Sequence, residues 1–149
     1  MTNQHIDPAT LEPCTLARLV AGSTPEELGA LMGGGQRAAV LAKVFADMPQ
    51  VFRADRAGSL GAVIHWVIGD RPGGGADTYE LVIAERACVV SPRPRHEPGL
   101  TLTVGAVDFL RVVTGQVHPV VLVMRGRLKT RGDVRLTAKF PSLFDPPGV

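Results

Sequence analysis

Histidine side chains bind metals and transfer protons near neutral pH, and this chain contains four of them. They occupy positions 5, 65, 96 and 118, without an HExxH pair or any other ligand spacing, so the sequence predicts no metal site. His65 interrupts an apolar run beside Trp66, where its ring is a candidate hydrogen-bond partner for the polar end of a ligand. The simpler interpretation is a half-buried histidine that a neighbouring residue satisfies.

Patterns for nucleophilic catalysis and phosphate binding are absent from the sequence. Its Ser, Cys and Asp residues form neither a nucleophile elbow nor an ordered triad motif. The glycine runs at 33–35 and 73–75 lack both the GxGxxG layout and a following Lys-Ser/Thr, so they predict turns. Cys14 and Cys88 lack CxxC spacing, which argues against a thiolate metal site and fits a reducing cytoplasm. We therefore expect no cofactor and no catalytic residues, and we favour a binding function over an enzymatic one.

The composition predicts one soluble domain with an aliphatic interior. A chain of 149 residues with 45% hydrophobic and 20% charged residues is large enough for one core with room for a cavity, but not for two cores. Aromatic residues make up only 5%, which argues against nucleic-acid binding through base stacking. No stretch reaches the roughly 18 consecutive apolar residues of a membrane helix, so a cytoplasmic location is expected.

Basic residues are concentrated near the C-terminus, where residues 125–139 hold six against one acidic residue. Arg127, Lys129 and Arg131 alternate with Leu128 and Thr130, which predicts a strand with its basic face outward. Two uses of that face stay open, docking on an anionic membrane surface or protection of a sheet edge from unwanted pairing, and the second is the simpler. Residues 93–96 are basic and proline-rich, and they either bind an anionic head group or form a solvated loop, which is the simpler interpretation.

The elements that would position these residues are helices at both ends and strands in the middle. Thr24 and Glu27 predict a capping box for a helix reaching about Met32, and residues 36–52 place an apolar stripe on the next helix. Strands are predicted at 60–68, 79–84, 87–91 and 100–104, and the turns between them favour an antiparallel meander. After Gly105 a helix returns with Asp108 outward, and Pro141 should break the last helix. This order predicts an α+β fold.

A family resemblance rests on the segment from Leu100 to Phe144. Its Gly-x-Leu-Lys-x-x-Gly-Asp run, from Gly126 to Asp133, and the spacing of the elements around it resemble the sterol carrier protein 2 family, over roughly residues 25–145. The resemblance implies a five-stranded, mainly antiparallel sheet covered on one face by helices. It also implies an apolar tunnel between the layers for a sterol, fatty acyl or isoprenoid-like guest. Residues 1–23 would be a partly helical N-terminal extension and residues 24–149 the lipid-binding domain.

The candidate ligand-binding residues are the inward positions of these elements, because core-facing and ligand-facing positions nearly coincide in a fold with a tunnel. They are Phe45, Met48, Phe52, Ile64, His65, Trp66, Leu81, Ile83, Leu110, Val113, Val121, Met124, Phe140 and Phe144.

Three functions remain open at this stage. The first is a carrier or presenter of a lipid or other apolar small molecule. The second is an enzyme that acts on a hydrophobic intermediate in the same cavity, with His65, Tyr79 or Asp108 as polar participants. The third is an accessory or oligomerisation module, including a homodimer. The expected partners are the apolar ligand and, as open alternatives, an anionic membrane and a second copy of the chain.

Overall fold

A computed structural model describes residues 13–145, so the predicted extension before residue 13, with His5, lies outside the described residues. The helices are α1 (Pro13–Gly22), α2 (Pro25–Met32), α3 (Arg37–Val51), α4 (Ala54–Ala57), α5 (Ala106–Val113), α6 (Pro119–Met124) and α7 (Arg135–Lys139). The strands are β1 (Ala62–Ile68), β2 (Asp77–Ala84), β3 (Ala87–Ser91), β4 (Leu100–Val104) and β5 (Leu128–Gly132). A 3₁₀ helix over Phe140–Leu143, here called the C-terminal turn, follows α7.

The helices begin and end where local chemistry predicts. Thr24 Oγ1 accepts from the Glu27 amide at 3.1 Å and Glu27 Oε1 accepts from the Thr24 amide at 2.8 Å, which confirms the capping box. The predicted stripe of α3 is buried, from Leu41 to Met48. Pro141 falls at the change from α7 to the C-terminal turn, so the predicted break is confirmed. None of the helices in the described range is long and apolar enough to cross a membrane.

The sheet has five strands in the order β3-β2-β1-β4-β5, and three of its four pairings are antiparallel. The predicted α+β class and mainly antiparallel sheet are therefore confirmed. The meander is wrong at its fourth strand, because β4 pairs with β1 in parallel instead of continuing beside β3. Residues 92–99 carry the chain past β2 and β1 to reach that position. Hydrophobic alternation reports which face of a strand is covered, but it does not report the neighbouring strand.

The two faces of the sheet have different surroundings. Ile64, Trp66 and Ile68 of β1 are fully buried beneath the helices. His65 points to the opposite face because successive side chains alternate along a strand. There the backbone amides of Arg95 and His96 donate to the Glu80 carboxylate, so the 92–99 connection lies over that face. The helix layer is anchored at the end of β1 by the buried Arg37, which donates to the carbonyls of Ile68 and Gly69 and pairs with Asp77.

The signature segment forms the edge strand β5. Leu128 is buried while Lys129 and Arg131 are exposed, so the predicted outward basic face is confirmed for these two residues, whereas Arg127 precedes the strand and pairs with Asp108. Gly132 has φ of +108°, and a Cβ atom at that position would collide with the Gly99 carbonyl. The second glycine of the signature therefore lets β5 lie close to the chain entering β4.

Asp108 does not face solvent, so its predicted outward position on α5 is wrong. Its side chain is buried, and its two carboxylate oxygens accept from Arg127 Nε at 2.9 Å and Arg127 Nη2 at 3.1 Å. The helical period predicts Val107, Leu110 and Val113 on the inward side of α5, and of these Leu110 is buried while Val107 and Val113 are half-buried. The period did not show that a cation 19 residues later would return to cover the first turn of α5.

Candidate ligand-binding pocket

An apolar pocket of about 250 Å³ lies within the helical layer. It is lined by α1, α3, the end of α5 and the C-terminal turn with the residues that follow it. Its apolar walls are formed by Leu16, Val44, Met48, Val51, Val112, Val113, Phe140, Pro141 and Phe144. Such a surface binds aliphatic groups by removing them from water, without selecting a particular orientation.

The pocket differs in position from the predicted tunnel between sheet and helices. None of the lining residues that the structure describes belongs to a strand. The large side chains of the sheet are packed against aromatic residues instead: Phe45 stacks on Tyr79 with ring centroids 4.0 Å apart, and Phe109 meets the edge of Trp66 at 5.2 Å. The layer between sheet and helices is therefore solid core at these residues.

The polar residues of the pocket are two carboxylates and one hydroxyl. Asp47 pairs with Lys43 at 3.0 Å, and Asp145 pairs with Arg53 at 2.8 Å. Thr114 Oγ1 donates to the Leu110 carbonyl at 2.7 Å, so its hydrogen bond is made within α5. The lining residues include no lysine or arginine in the described part of the chain. The pocket is therefore apolar, and each of its two carboxylates is paired with a cation outside the lining.

Four of the predicted ligand-binding residues meet at this pocket: Met48, Val113, Phe140 and Phe144. They come from three segments far apart in the sequence. Phe52 lies beside them, with its ring centroid 5.5 Å from that of Phe144 and a backbone bridge to the same residue.

Six other predicted residues are core residues away from the wall. Phe45 and Leu110 are buried but are absent from the lining, and the sheet residues lie beneath the helices. Those sheet residues are Ile64, Trp66, Leu81 and Ile83, each at most 1% exposed.

The inward positions predicted for Val121 and Met124 are wrong. Their side chains are 36% and 81% exposed, whereas Leu122 of the same helix is buried. Helix α6 has only six residues, so a uniformly apolar sequence gave no period from which to choose the buried side.

His65 belongs to a separate buried polar cluster. Its Nε2 lies 3.0 Å from Glu80 Oε2, and His96 Nδ1 lies 3.0 Å from Glu80 Oε1. Burial by itself would raise the pKa of Glu80, but hydrogen bonds from the His96 ring, the amides of His96 and Arg95, and His65 outweigh burial and lower that pKa to about 2. Glu80 is thus an ionised carboxylate that fixes the 92–99 connection. The simpler interpretation of His65, satisfaction by a neighbour, agrees with this geometry.

Sequence reasoning omitted several wall residues that had a visible signal. Val44 and Val51 lie four residues before and three residues after Met48, on the same helical face. Leu16 belongs to the segment treated as an extension, yet it is buried in the common core, and α1 packs against α5. Asp145 and Thr114 had no such signal, because they lie at the pocket only where the end of α5 meets the residues after the C-terminal turn.

Comparison with known proteins identifies the fold and the family. The model of the SCP-2 sterol transfer family matches residues 45–145. Sterol carrier protein 2 of Homo sapiens is 28% identical over 89 residues, which cover 60% of this chain and 16% of the human protein. The chain thus spans about one sixth of the length of that curated relative.

Two solved structures have the same fold. The sec-alkylsulfatase Pisa1 from Pseudomonas sp. superposes with a TM-score of 0.63 at 15% identity, over 74% of this chain and 17% of the enzyme. Sterol carrier protein 2 from Yarrowia lipolytica, in its apo form, gives a TM-score of 0.58 at 20% identity, over 73% of this chain and 90% of its own. Since the family model covers more than half of the sequence, the chain belongs to the SCP-2 sterol transfer family.

Proposed function

We propose that this protein carries or presents a lipid or similar apolar small molecule in the pocket between α1, α3, α5 and the C-terminal turn. The observation that supports the proposal most directly is the apolar wall around a space of about 250 Å³. This volume exceeds the ~150 Å³ of an engineered apolar cavity that binds benzene. It lies just below the ~300 Å³ at which ordinary ligand sites begin. Membership of a sterol transfer family supports lipid binding in general terms.

The energetics of such a site are sufficient for useful affinity. A guest that buries about 300 Å² of apolar surface gains on the order of 7 kcal/mol at roughly 25 cal/mol per Å². Ordering costs on association reduce this gain. A gain of 7 kcal/mol before those costs corresponds to a Kd of about 10 μM, so a guest of this size should bind more weakly than that, and a guest that buries more apolar surface should bind more tightly.

The experiment introduces a larger side chain at a position that lines the pocket and compares its effect with that of the same side chain at an exposed position. Val113 is half-buried and lines the pocket, so Val113→Phe should lower the affinity for a fluorescent fatty acyl probe by about tenfold or more. Met124→Phe is the matched control, because it adds an aromatic ring at a solvent-exposed position outside the lining. Organic extraction of the wild-type protein, followed by mass spectrometry, identifies any retained guest. Equal probe binding by both variants, or none by the wild type, would contradict the proposal.

A second candidate is an accessory module of a larger assembly. It is supported by the likeness to Pisa1, of which this fold covers only 17%, and by the small share of the human relative that the chain spans. Self-association in sedimentation velocity, together with an interior that retains no extractable guest, would favour this candidate. The enzyme alternative has less support, because His65, Tyr79 and Asp108 are all absent from the pocket lining.

Delivery to an anionic membrane is a further part of the proposal. The exposed Lys129 and Arg131 lie on the edge strand, where protection of the unpaired edge also accounts for them. Sedimentation with vesicles containing phosphatidylserine separates the two. Binding that weakens as salt rises supports docking, whereas absent binding leaves edge protection as the explanation.

A further inference from the structure

The two edges of the sheet differ in their chemistry. Edge strand β5 exposes Lys129 and Arg131, charges of the kind that protect a sheet edge from unwanted pairing. Edge strand β3 contains neither a charged residue nor a proline over its whole length, Ala87–Ser91. Because an uncharged edge is a ready template for a further strand, the outer edge of β3 is suited to accept one.

The turn before β3 fixes which of its backbone groups face outward. Glu85 and Arg86 both have positive φ, 51° and 65°, so a two-residue type I′ turn joins β2 to β3. The residues that flank such a turn exchange both hydrogen bonds, and hydrogen-bonded pairs then alternate with non-hydrogen-bonded pairs along the ladder. Val89 therefore directs its amide and carbonyl to β2, whereas Cys88 and Val90 direct theirs to the outer edge. No strand of the described chain pairs there.

These outward groups match those of a second copy of the same strand. When two β3 strands run antiparallel about a two-fold axis at Val89, Cys88 of each chain lies opposite Val90 of the other. Each such pair exchanges both hydrogen bonds, so every outward amide and carbonyl of the two strands is satisfied. The two Val89 residues then form a non-hydrogen-bonded pair, in which the side chains approach most closely.

Side chains beside the edge agree with the same register. On the face opposite the helices, Val63, Val82 and Val89 lie side by side across three strands, and Val89 is 62% exposed. Pairing at Val89 joins this row to its own copy, and cross-strand pairs of β-branched residues stabilise a sheet. The register also sets Glu85 opposite Arg93 of the second copy. Both are exposed and neither forms an ion pair within the described chain, so their charges are complementary across the two copies.

Helix α3 presents small, uncharged residues near this edge. Its exposed Ala38, Ala42 and Ala46 are spaced four apart, so they form one row along the helix. At ~100° per residue, the row lies on the side of α3 away from Val44 and Met48, which line the pocket. Since α3 packs against β3, joining two β3 edges brings two α3 helices side by side. Rows of alanine allow helices to approach closely.

We propose that β3 is a dimerisation edge. Two copies of the chain pair their β3 strands antiparallel about Val89, which joins their five-stranded sheets into one continuous sheet and sets α3 against α3. The pocket lies on the other side of α3, so each copy keeps its own binding site. One five-residue edge with a helix row beside it is small next to the ~1,200 Å² that stable interfaces bury, so the dimer should be reversible.

Sedimentation velocity over about 5 to 500 μM protein should show a monomer–dimer equilibrium. Val89→Lys places two ammonium groups together at the axis and should raise the dissociation constant at least about tenfold. Val134→Lys is the matched control, because Val134 is similarly exposed, 58%, but follows β5 at the other edge of the sheet. Ala42→Glu should also weaken the dimer, whereas Ala30→Glu on the exposed surface of α2 should not.

Cross-linking tests the register. In a background of Cys14→Ser and Cys88→Ala, Val89→Cys should form an interchain disulfide under mild oxidation. The reason is that non-hydrogen-bonded partners lie ~4.5 Å apart at their Cα atoms, within the range that a disulfide spans. Met124→Cys in the same background is the control, since Met124 is 81% exposed on α6, which packs against β5 at the other edge.

Three outcomes would overturn the proposal. They are a wild-type protein that stays monomeric throughout this concentration range, a dimer that Val89→Lys leaves unchanged, and equal cross-linking of the Val89→Cys and Met124→Cys variants. The wild-type sedimentation result decides whether a dimer forms even if a variant folds poorly. Val89→Lys should bind the fluorescent fatty acyl probe as the wild type does, because the pocket lies on the other side of α3. Failure of the dimer and failure of the carrier function are thus measured separately.

Discussion

Replacing Glu80 by glutamine tests whether one buried carboxylate fixes the crossover from β3 to β4. The side chain is 1% exposed, and its oxygens accept four hydrogen bonds from His65, Arg95 and His96. Glutamine keeps the shape but removes the charge, so it imitates the protonated carboxyl. The 92–99 connection should then be held less tightly on the sheet, and the free energy of unfolding should fall.

The magnitude follows from the depressed pKa. The pKa of Glu80 is about 2 in place of an ordinary 4.5. At ~1.4 kcal/mol per unit, this difference corresponds to about 3 kcal/mol of stabilisation. Because the folded-state pKa is the lower one, the stabilisation is fully present above pH 4.5 and disappears as the pH falls towards 2. Glu80→Gln should therefore be about 2 to 3 kcal/mol less stable at pH 7, and the gap should close in acid.

Urea denaturation of both proteins between pH 7 and pH 2 measures that gap. Limited trypsin digestion gives a local readout, because the Arg95–His96 bond carries an amide that donates to Glu80 and should be cut faster in the variant. Glu97→Gln is the control, since it removes an exposed carboxylate from the same connection. If Glu80→Gln matches the wild type in stability, or if the gap persists unchanged at pH 2, the assignment of this role to the carboxylate is wrong.

Three further predictions concern the close approach at Gly132, the Asp108–Arg127 pair and the buried thiol of Cys88. Gly132→Ala should lower the free energy of unfolding by about 2 to 4 kcal/mol in denaturant melts, because the φ of Gly132 is left-handed and a Cβ atom there has no room. The control is Gly29→Ala in a helix, where the Cβ atom would meet open space; it should leave stability unchanged or raise it by about 0.5 to 1 kcal/mol. Asp108→Asn should cost about 1 to 2 kcal/mol, since its partner Arg127 is half-exposed and the pair is partly screened; loss of less than ~0.5 kcal/mol would contradict the buried pairing. Burial raises the pKa of Cys88 to about 11, so its alkylation at pH 8, followed by peptide mapping, should be much slower than in the unfolded chain; equal rates would show that the thiol is accessible.

The local features that the sequence predicted correctly have causes within a few residues of the chain. Thr24 and Glu27 cap the helix that they begin, and Pro141 changes the last helix at its own position. Leu128 and Lys129 fall on opposite faces of β5 because the strand period is two. Such features need only a few neighbouring residues, so patterns and spacing suffice to predict them.

The location of the pocket, by contrast, depends on which segment ends meet. The sequence by itself determined the α+β fold, the mostly antiparallel sheet and the buried faces of the long elements, because periodicity states which side of an element avoids water. Only the tertiary structure decided that β4 lies parallel to β1, that Arg127 covers Asp108, and that a space remains beside Phe140 while the layer at Phe45 is solid. Those outcomes depend on long-range packing of side chains whose apolar character is the same in a core and in a pocket wall.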